Sequence, residues 1–85
     1  MAKFTYSMSD SEAIMAFKRG FMGQGMGNVA ILKDKGNKFV LGAPLMKVFV
    51  ELKDGTCETK SNLFGKPILA TVDTKIELIE GFRKL

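Results

Sequence analysis

Hydrophobic and polar positions along the chain follow two different periods, and these periods predict five strands and two helices. A period of two, with every second residue apolar, is typical of a strand that has one buried face. A spacing of three to four residues is typical of an amphipathic helix. The predicted order is β-α-β-β-β-β-α, with strands over residues 3–8, 28–33, 38–41, 45–53 and 56–61, and with helices over about 9–22 and 67–85.

The clearest strand signal runs from residue 45 to residue 53 and ends at Asp54-Gly55. This dipeptide between two strands predicts a hairpin with a two-residue loop. The loop length fixes the register, which places Cys57 on the apolar face and sets Glu51 opposite Glu58. We expect the diagonal lysines of the same two strands to offset that repulsion. The predicted pairs are Lys53–Thr56, Leu52–Cys57, Val50–Thr59 and Val48–Ser61.

Both helices carry start signals and apolar stripes. Ser9 and Glu12 form a capping box for the first helix, and Pro67 lies near the first turn of the second. The glycine-rich segment 23–27 ends the first helix. This segment follows a helix instead of leading into one, so it predicts a flexible connection and not a phosphate-binding loop.

These elements predict an α+β fold in one domain over residues 1–85. Five strands can form a single antiparallel sheet, and two amphipathic helices can cover one of its faces. The pattern leaves the strand order open. The predicted core contains Phe4 or Tyr6, Ile14, Phe17, Phe21, Val48, Val50, Leu52, Val72, Ile76, Ile79 and Phe82, with Cys57 also buried.

The derived order resembles that of small bacterial domains with a TATA-binding-protein-like or helix-grip-like sheet. Such domains open with a short strand and a capped helix similar to Ser9-Asp10-Ser11-Glu12-Ala13. They close on a helix similar to Ile76-Glu77-Leu78-Ile79-Glu80-Gly81-Phe82. The resemblance implies the fold and a bacterial origin, and it assigns no functional residue.

The composition argues against catalysis. The chain contains no histidine, no tryptophan and a single cysteine. Without histidine, acid–base chemistry near neutral pH would need a strongly shifted carboxylate or lysine, and Cys57 has no imidazole to activate it. The same absence removes the usual nitrogen and sulfur metal ligands. We therefore expect a protein that is not an enzyme and that holds no metal and no cofactor.

The charge is mildly basic. Thirteen basic and nine acidic residues are interleaved along the chain and give a net charge of +4. A solvated surface accounts for most of this charge, and a surface for nucleic acid or an anionic membrane is the other interpretation. No apolar run approaches the roughly 18 residues of a membrane span. The N-terminus lacks the apolar stretch of a secretory signal, so we expect a cytoplasmic protein.

Apolar residues on both faces of the middle strands predict a second covering of the sheet. Val29 and Ile31 lie on one face of their strand, with Ala30 and Leu32 on the other. The next strand places Val40 opposite Phe39 and Leu41. Because two helices can cover only one face, we expect a symmetric homodimer.

Two functions remain open. The leading interpretation is a small non-enzymatic binding or interaction module for an apolar ligand or a protein partner. Its lining would include adaptable methionines. The lining residues are Phe21, Met22, Met26, Leu45 and Met46.

The alternative is nucleic-acid binding by a mildly basic sheet face. The aromatic residues Tyr6, Phe39 and Phe49 lie on predicted strands. The aromatic motif of RNA-recognition domains is not present, so we expect these three residues to lie in the core. The nucleic-acid contacts would come from Lys33, Lys35, Lys38, Lys47 and Lys60.

Overall fold

A computed structural model describes residues 2–22 and 29–85, with the backbone alone for residue 22, and has the α+β fold that the sequence predicts. No helix in these ranges is long and apolar enough to cross a membrane. The strands are β1 (Ala2–Tyr6), β2 (Ala30–Asp34), β3 (Lys38–Gly42), β4 (Lys47–Lys53), β5 (Thr56–Ser61) and β6 (Phe82–Lys84). The helices are α1 (Asp10–Met22) and α2 (Lys66–Leu78), and a 3₁₀ turn at Leu63–Gly65 precedes α2.

The sheet has six strands, so the prediction of five was wrong. The last predicted helix ends at Leu78 instead of continuing to residue 85. Ile79 takes an extended conformation, and Gly81 has a φ of 90°, a conformation that a glycine adopts at little cost. The chain thereby turns, and Phe82–Lys84 pairs antiparallel with β1.

The strand order is β2-β3-β4-β5-β1-β6, and every neighbouring pair is antiparallel. The predicted β4–β5 register is confirmed, because Leu52 pairs with Cys57 and Val50 with Thr59. Asp54 and Gly55 have φ values of 52° and 81°. Two successive positive φ values are typical of the tight hairpin turn that Asp-Gly favours.

Both helices pack on the same face of the sheet. The Phe17 ring of α1 lies 4.8 Å from the Phe39 ring of β3, measured between centroids. On the same face, the Thr59 hydroxyl of β5 donates a hydrogen bond of 2.7 Å to Asp73 of α2.

Most predicted core residues are buried, and Cys57 is fully buried. Ile14 and Ile79 are the exceptions, since both are half-buried at the margin. The prediction did not name Ala13, Val29 and Leu41, which are also buried in the core.

The predicted capping box at the start of α1 is confirmed. The Ser9 hydroxyl accepts a hydrogen bond of 3.2 Å from the Glu12 amide, and the Glu12 carboxylate accepts bonds from the Ser9 amide and hydroxyl. These bonds satisfy donors that the first helical turn leaves without intrahelical partners. They fix the point at which the chain leaves β1 and enters the helical layer.

Candidate binding face

The outer face of the sheet, opposite the helices, carries a row of four side chains across four strands. The register pairs Lys33 of β2 with Val40, Val40 with Phe49, and Phe49 with Lys60 of β5. Successive strands lie about 4.8 Å apart, so the row spans about 14 Å. Two apolar side chains therefore occupy the centre of the face, with a lysine at each end.

This row forms the floor of an open groove of about 650 Å³. All five lysines that the sequence suggested for nucleic-acid contacts line this one groove, so the structure brings that predicted set together. The lysines are Lys33, Lys35, Lys38, Lys47 and Lys60.

Phe49 is the exposed aromatic side chain of the groove. It is 43 % exposed, whereas Tyr6 and Phe39 are buried in the core as predicted. The prediction that Phe49 is also a core residue was therefore wrong. Phe49 shares the outer face with Lys47 and Glu51, because side chains alternate along a strand. The signal for exposure was this alternation, which places an aromatic among charged residues.

Two acidic residues lie on the same face, and lysines offset both. Glu51 and Glu58 are opposite each other, as the register predicted. Lys38 of β3 lies 3.8 Å from Glu51, and Lys3 of β1 lies 3.2 Å from Glu58. The offsetting charges thus come from the strands on either side of the hairpin, and not from the diagonal lysines that we expected.

The other groove lysines keep their charge available. Within residues 2–22 and 29–85, Lys33, Lys35, Lys47 and Lys60 have no carboxylate at ion-pair distance. The groove holds five lysines against two glutamates, which leaves an excess of positive charge around an apolar centre. Such a surface suits an anion that also carries flat or apolar groups.

The residues suggested for an apolar ligand lie in different environments. Phe21 is buried in the core, where its ring lies 4.7 Å from that of Phe17. Leu45 and Met46 are exposed in the connection between β3 and β4. The Met22 side chain and Met26 lie outside the described residues, as does the glycine-rich segment 23–27. Among the described residues, this set does not form one lining.

The sequence prediction missed two exposed apolar residues, Leu63 and Phe64, in the 3₁₀ turn before α2. They fall in a segment interpreted only as a loop. Two consecutive large apolar residues in such a connection were the available signal, since loop positions normally carry polar side chains.

Asp10 forms a separate polar cluster that joins α1 to the β4–β5 hairpin. Its carboxylate accepts a 2.6 Å bond from the Tyr6 hydroxyl and 3.1 Å bonds from the amides of Asp54 and Gly55. The Tyr6 bond, together with the bonds from the hairpin amides, lowers the pKa of Asp10. Burial and the bond to Asp10 raise the pKa of Tyr6 well above its usual value. Because its donors hold this carboxylate ionised, we interpret the cluster as structural.

The described residues contain no group of three or more acidic or cysteine side chains that could hold a metal ion. Cys57 is fully buried, and burial raises the pKa of its thiol from 9.0 to about 12, with smaller contributions from Asp73 and Glu58. A thiol with this pKa is a poor nucleophile, because the thiolate is the reactive form.

Comparisons with protein-family models, with curated proteins and with solved structures find no match. The resemblance to TATA-binding-protein-like and helix-grip-like domains therefore stays a prediction.

Proposed function

We propose that the protein is a non-enzymatic binding module whose outer groove binds single-stranded nucleic acid. The observation that carries this proposal is the row Lys33–Val40–Phe49–Lys60, in which an exposed aromatic lies between two lysines without carboxylate partners among the described residues. Proteins that bind single strands combine a basic groove for the phosphates with aromatic side chains for the bases.

Each part of the groove has a separate role in this proposal. A base stacks on the face of Phe49, with Val40 beside it as further apolar contact. Such stacking contributes about 1–3 kcal/mol per base. Lys33 and Lys60 hold phosphates on either side of the stacked base, and Lys35 and Lys47 extend the basic path. The open sheet face has room for the bases of a single strand, which can turn outward. In a duplex the bases are paired and stacked on each other, so they cannot reach the groove.

A second copy of the chain is a weaker occupant of the same groove. The homodimer predicted from the apolar residues would cover this face in a symmetric interface. A symmetric interface sets the same patch against itself. The excess of lysines would then face an equal excess, and like charges oppose such an association. The charge of the groove therefore favours a polyanion, and the homodimer remains a separate proposal that light scattering without oligonucleotide can test.

The test is a titration of fluorescent oligothymidylate and oligouridylate at low and moderate salt. Four phosphate contacts give a slope of about −3 in log K against log salt, because each contact to a single strand contributes about −0.7. Phe49→Ala should weaken binding by about tenfold or more, through lost stacking. Lys33→Ala should weaken binding and reduce the slope by about 0.7.

Two matched controls separate the groove from general charge and apolar exposure. Lys75→Ala removes the same charge from α2, on the helical layer, and should leave the affinity nearly unchanged. Leu78→Ala removes an exposed apolar side chain from α2 and should also leave the affinity nearly unchanged. Glu58→Gln should strengthen binding, because it removes an acid from the groove.

Absence of binding at low salt, or equal effects of Lys33→Ala and Lys75→Ala, would overturn the proposal. Binding of an apolar probe that Phe49→Ala abolishes, without oligonucleotide binding, would favour the apolar-ligand module.

A further inference from the structure

A second surface, which we name the apolar tip, combines four exposed apolar side chains from two segments of the chain. Leu45 and Met46 lie in the β3–β4 connection, and Leu63 and Phe64 lie in the 3₁₀ turn before α2. Their exposed fractions range from 39 to 73 %. Clustered exposure of this kind marks a contact surface, whereas single exposed apolar residues need no explanation.

Asn62 joins the two segments into one unit. Its side-chain amide donates a 2.8 Å bond to the Leu45 carbonyl, and its side-chain oxygen accepts bonds from the amides of Lys47 and Gly65. Its backbone amide donates a further bond of 3.0 Å to the Lys47 carbonyl. These bonds hold the backbones of the two segments next to each other, which places their exposed apolar residues at the same end of the molecule.

The backbone of the tip satisfies many of its own polar groups. The Ala43 amide donates a 2.9 Å bond to the Met46 carbonyl, and Pro44 has no amide hydrogen to satisfy. Asn62 provides partners for the Leu45 carbonyl and the Gly65 amide. The apolar segments 43–46 and 63–65 also carry no polar side chain. Such a surface can leave water at small cost, since unpaired backbone groups are what make burial in lipid expensive.

Next to both segments, the chain carries basic side chains and no acidic ones. No acidic residue occurs between residues 43 and 50 or between residues 59 and 72, and these two stretches contain Lys47, Lys60 and Lys66. Lys47 and Lys66 directly follow the two apolar segments. An apolar surface with a basic border is complementary to a membrane interface that contains anionic lipids, where apolar side chains enter the headgroup region and lysines bind the charged headgroups.

We propose that the apolar tip docks the protein reversibly on the surface of an anionic membrane. Leu63 and Phe64 enter the boundary between headgroups and acyl chains, and Lys66 contacts anionic headgroups. The attachment is peripheral, because only a few side chains enter. A protein partner is less favoured, because the segments that form the tip offer no polar side chain for a specific hydrogen bond. A second copy is less favoured, because a symmetric contact would set the basic border against itself.

The absence of tryptophan allows a direct test by fluorescence. Phe64→Trp places one fluorophore on the tip, and Leu78→Trp places one at a position of similar exposure on α2. With vesicles of phosphatidylcholine and phosphatidylglycerol, the emission of the Phe64→Trp variant should shift to shorter wavelength and that of the Leu78→Trp variant should not. With phosphatidylcholine alone, the shift should be much weaker.

Co-sedimentation with the same anionic vesicles supplies a second measurement. Leu63→Ser/Phe64→Ser should lower the partition coefficient by about tenfold or more. Leu78→Ser/Leu85→Ser, a double variant of equally exposed leucines elsewhere, should leave it nearly unchanged. Lys66→Glu should weaken vesicle binding and make it less dependent on salt. The helix α2 tolerates the new charge, because a negative side chain is favourable at the first residue of a helix. Thermal unfolding confirms that each variant is folded.

Three results would overturn this proposal. One is the absence of a shift for the Phe64→Trp variant, and another is an equal shift for the Leu78→Trp variant. The third is a dimer in solution that the Leu63→Ser/Phe64→Ser variant abolishes while vesicle binding is absent. The proposal is independent of oligonucleotide binding, since Phe49→Ala should retain the partition coefficient and the tip double variant should retain oligonucleotide affinity.

Discussion

Where the chain leaves its strands and helices, single side chains form hydrogen bonds with backbone groups that other backbone groups would form within a strand or helix. Asn62 does so between the β3–β4 connection and the turn before α2, and Asp10 does so between α1 and the β4–β5 hairpin. Both residues accept bonds from backbone amides in turns or at the ends of strands. Short polar side chains suit this role because they reach nearby amides at little entropic cost.

Cys57 gives a prediction at this scale. The folded protein holds the thiol proton more tightly than the unfolded chain, because burial raises the pKa from 9.0 to about 12. The contribution to stability is therefore complete below about pH 9 and is lost as the pH rises from about 9 towards 12. The unfolding temperature should therefore fall across this pH range. In Cys57→Ala the unfolding temperature should fall less, and the fall should start near pH 10, where Tyr6 ionises in the unfolded chain.

Thiol labelling checks the same residue at neutral pH. Native protein should react slowly with a thiol reagent, and protein in denaturant should react at once, since Cys57 is fully buried. Rapid and complete labelling of the native protein would contradict both its burial and the β4–β5 register.

Among the secondary-structure elements, the sequence correctly predicted helices and strands with long periodic patterns, and turns whose residues favour a single turn type. The capping box at Ser9 and the Asp54-Gly55 hairpin are confirmed because the local chemistry decides each of them. The end of α2 was wrong because Ile79 and Phe82 continue the helical spacing of the preceding residues. A pattern that fits both a helix and a short strand does not distinguish them, and pairing with β1 decided the outcome.

Gly81 tests the turn between α2 and β6. If the helix continued through this position, Gly81→Ala would stabilise the protein. In the turn, where the φ of Gly81 is 90° and an added Cβ would meet Met8, the substitution should cost about 2 kcal/mol. Gly36→Ala is the matched control, with a similar φ of 86° and open space around it, and it should cost about 1 kcal/mol.

Urea unfolding measures both substitutions. A Gly81→Ala variant as stable as the natural chain, or more stable than Gly36→Ala, would contradict the turn and the sixth strand.

At the scale of the whole molecule, the sheet separates a packed inner face from a basic outer face. The sequence identified the five lysines, but charge alone did not show that they share a groove. Their convergence depends on the order β2-β3-β4-β5, which sets Lys33 and Lys60 at the two ends of one row. Strand order is decided by long-range pairing, which has no local signal. The pairing of the two segments of the apolar tip was missed for the same reason, since the bond from Asn62 to the Leu45 carbonyl joins residues that lie 17 positions apart in the sequence.

We propose that the outer groove binds single-stranded nucleic acid, and this binding can be observed residue by residue. Nuclear magnetic resonance tests it directly, by titrating ¹⁵N-labelled protein with an oligothymidylate of about ten nucleotides at low salt. We expect amide shifts to concentrate on β3, β4 and β5, with the largest near Val40, Phe49 and Lys60, and we expect α1 and α2 to change little. Shifts confined to the helices, or no shifts at saturating oligonucleotide, would contradict it.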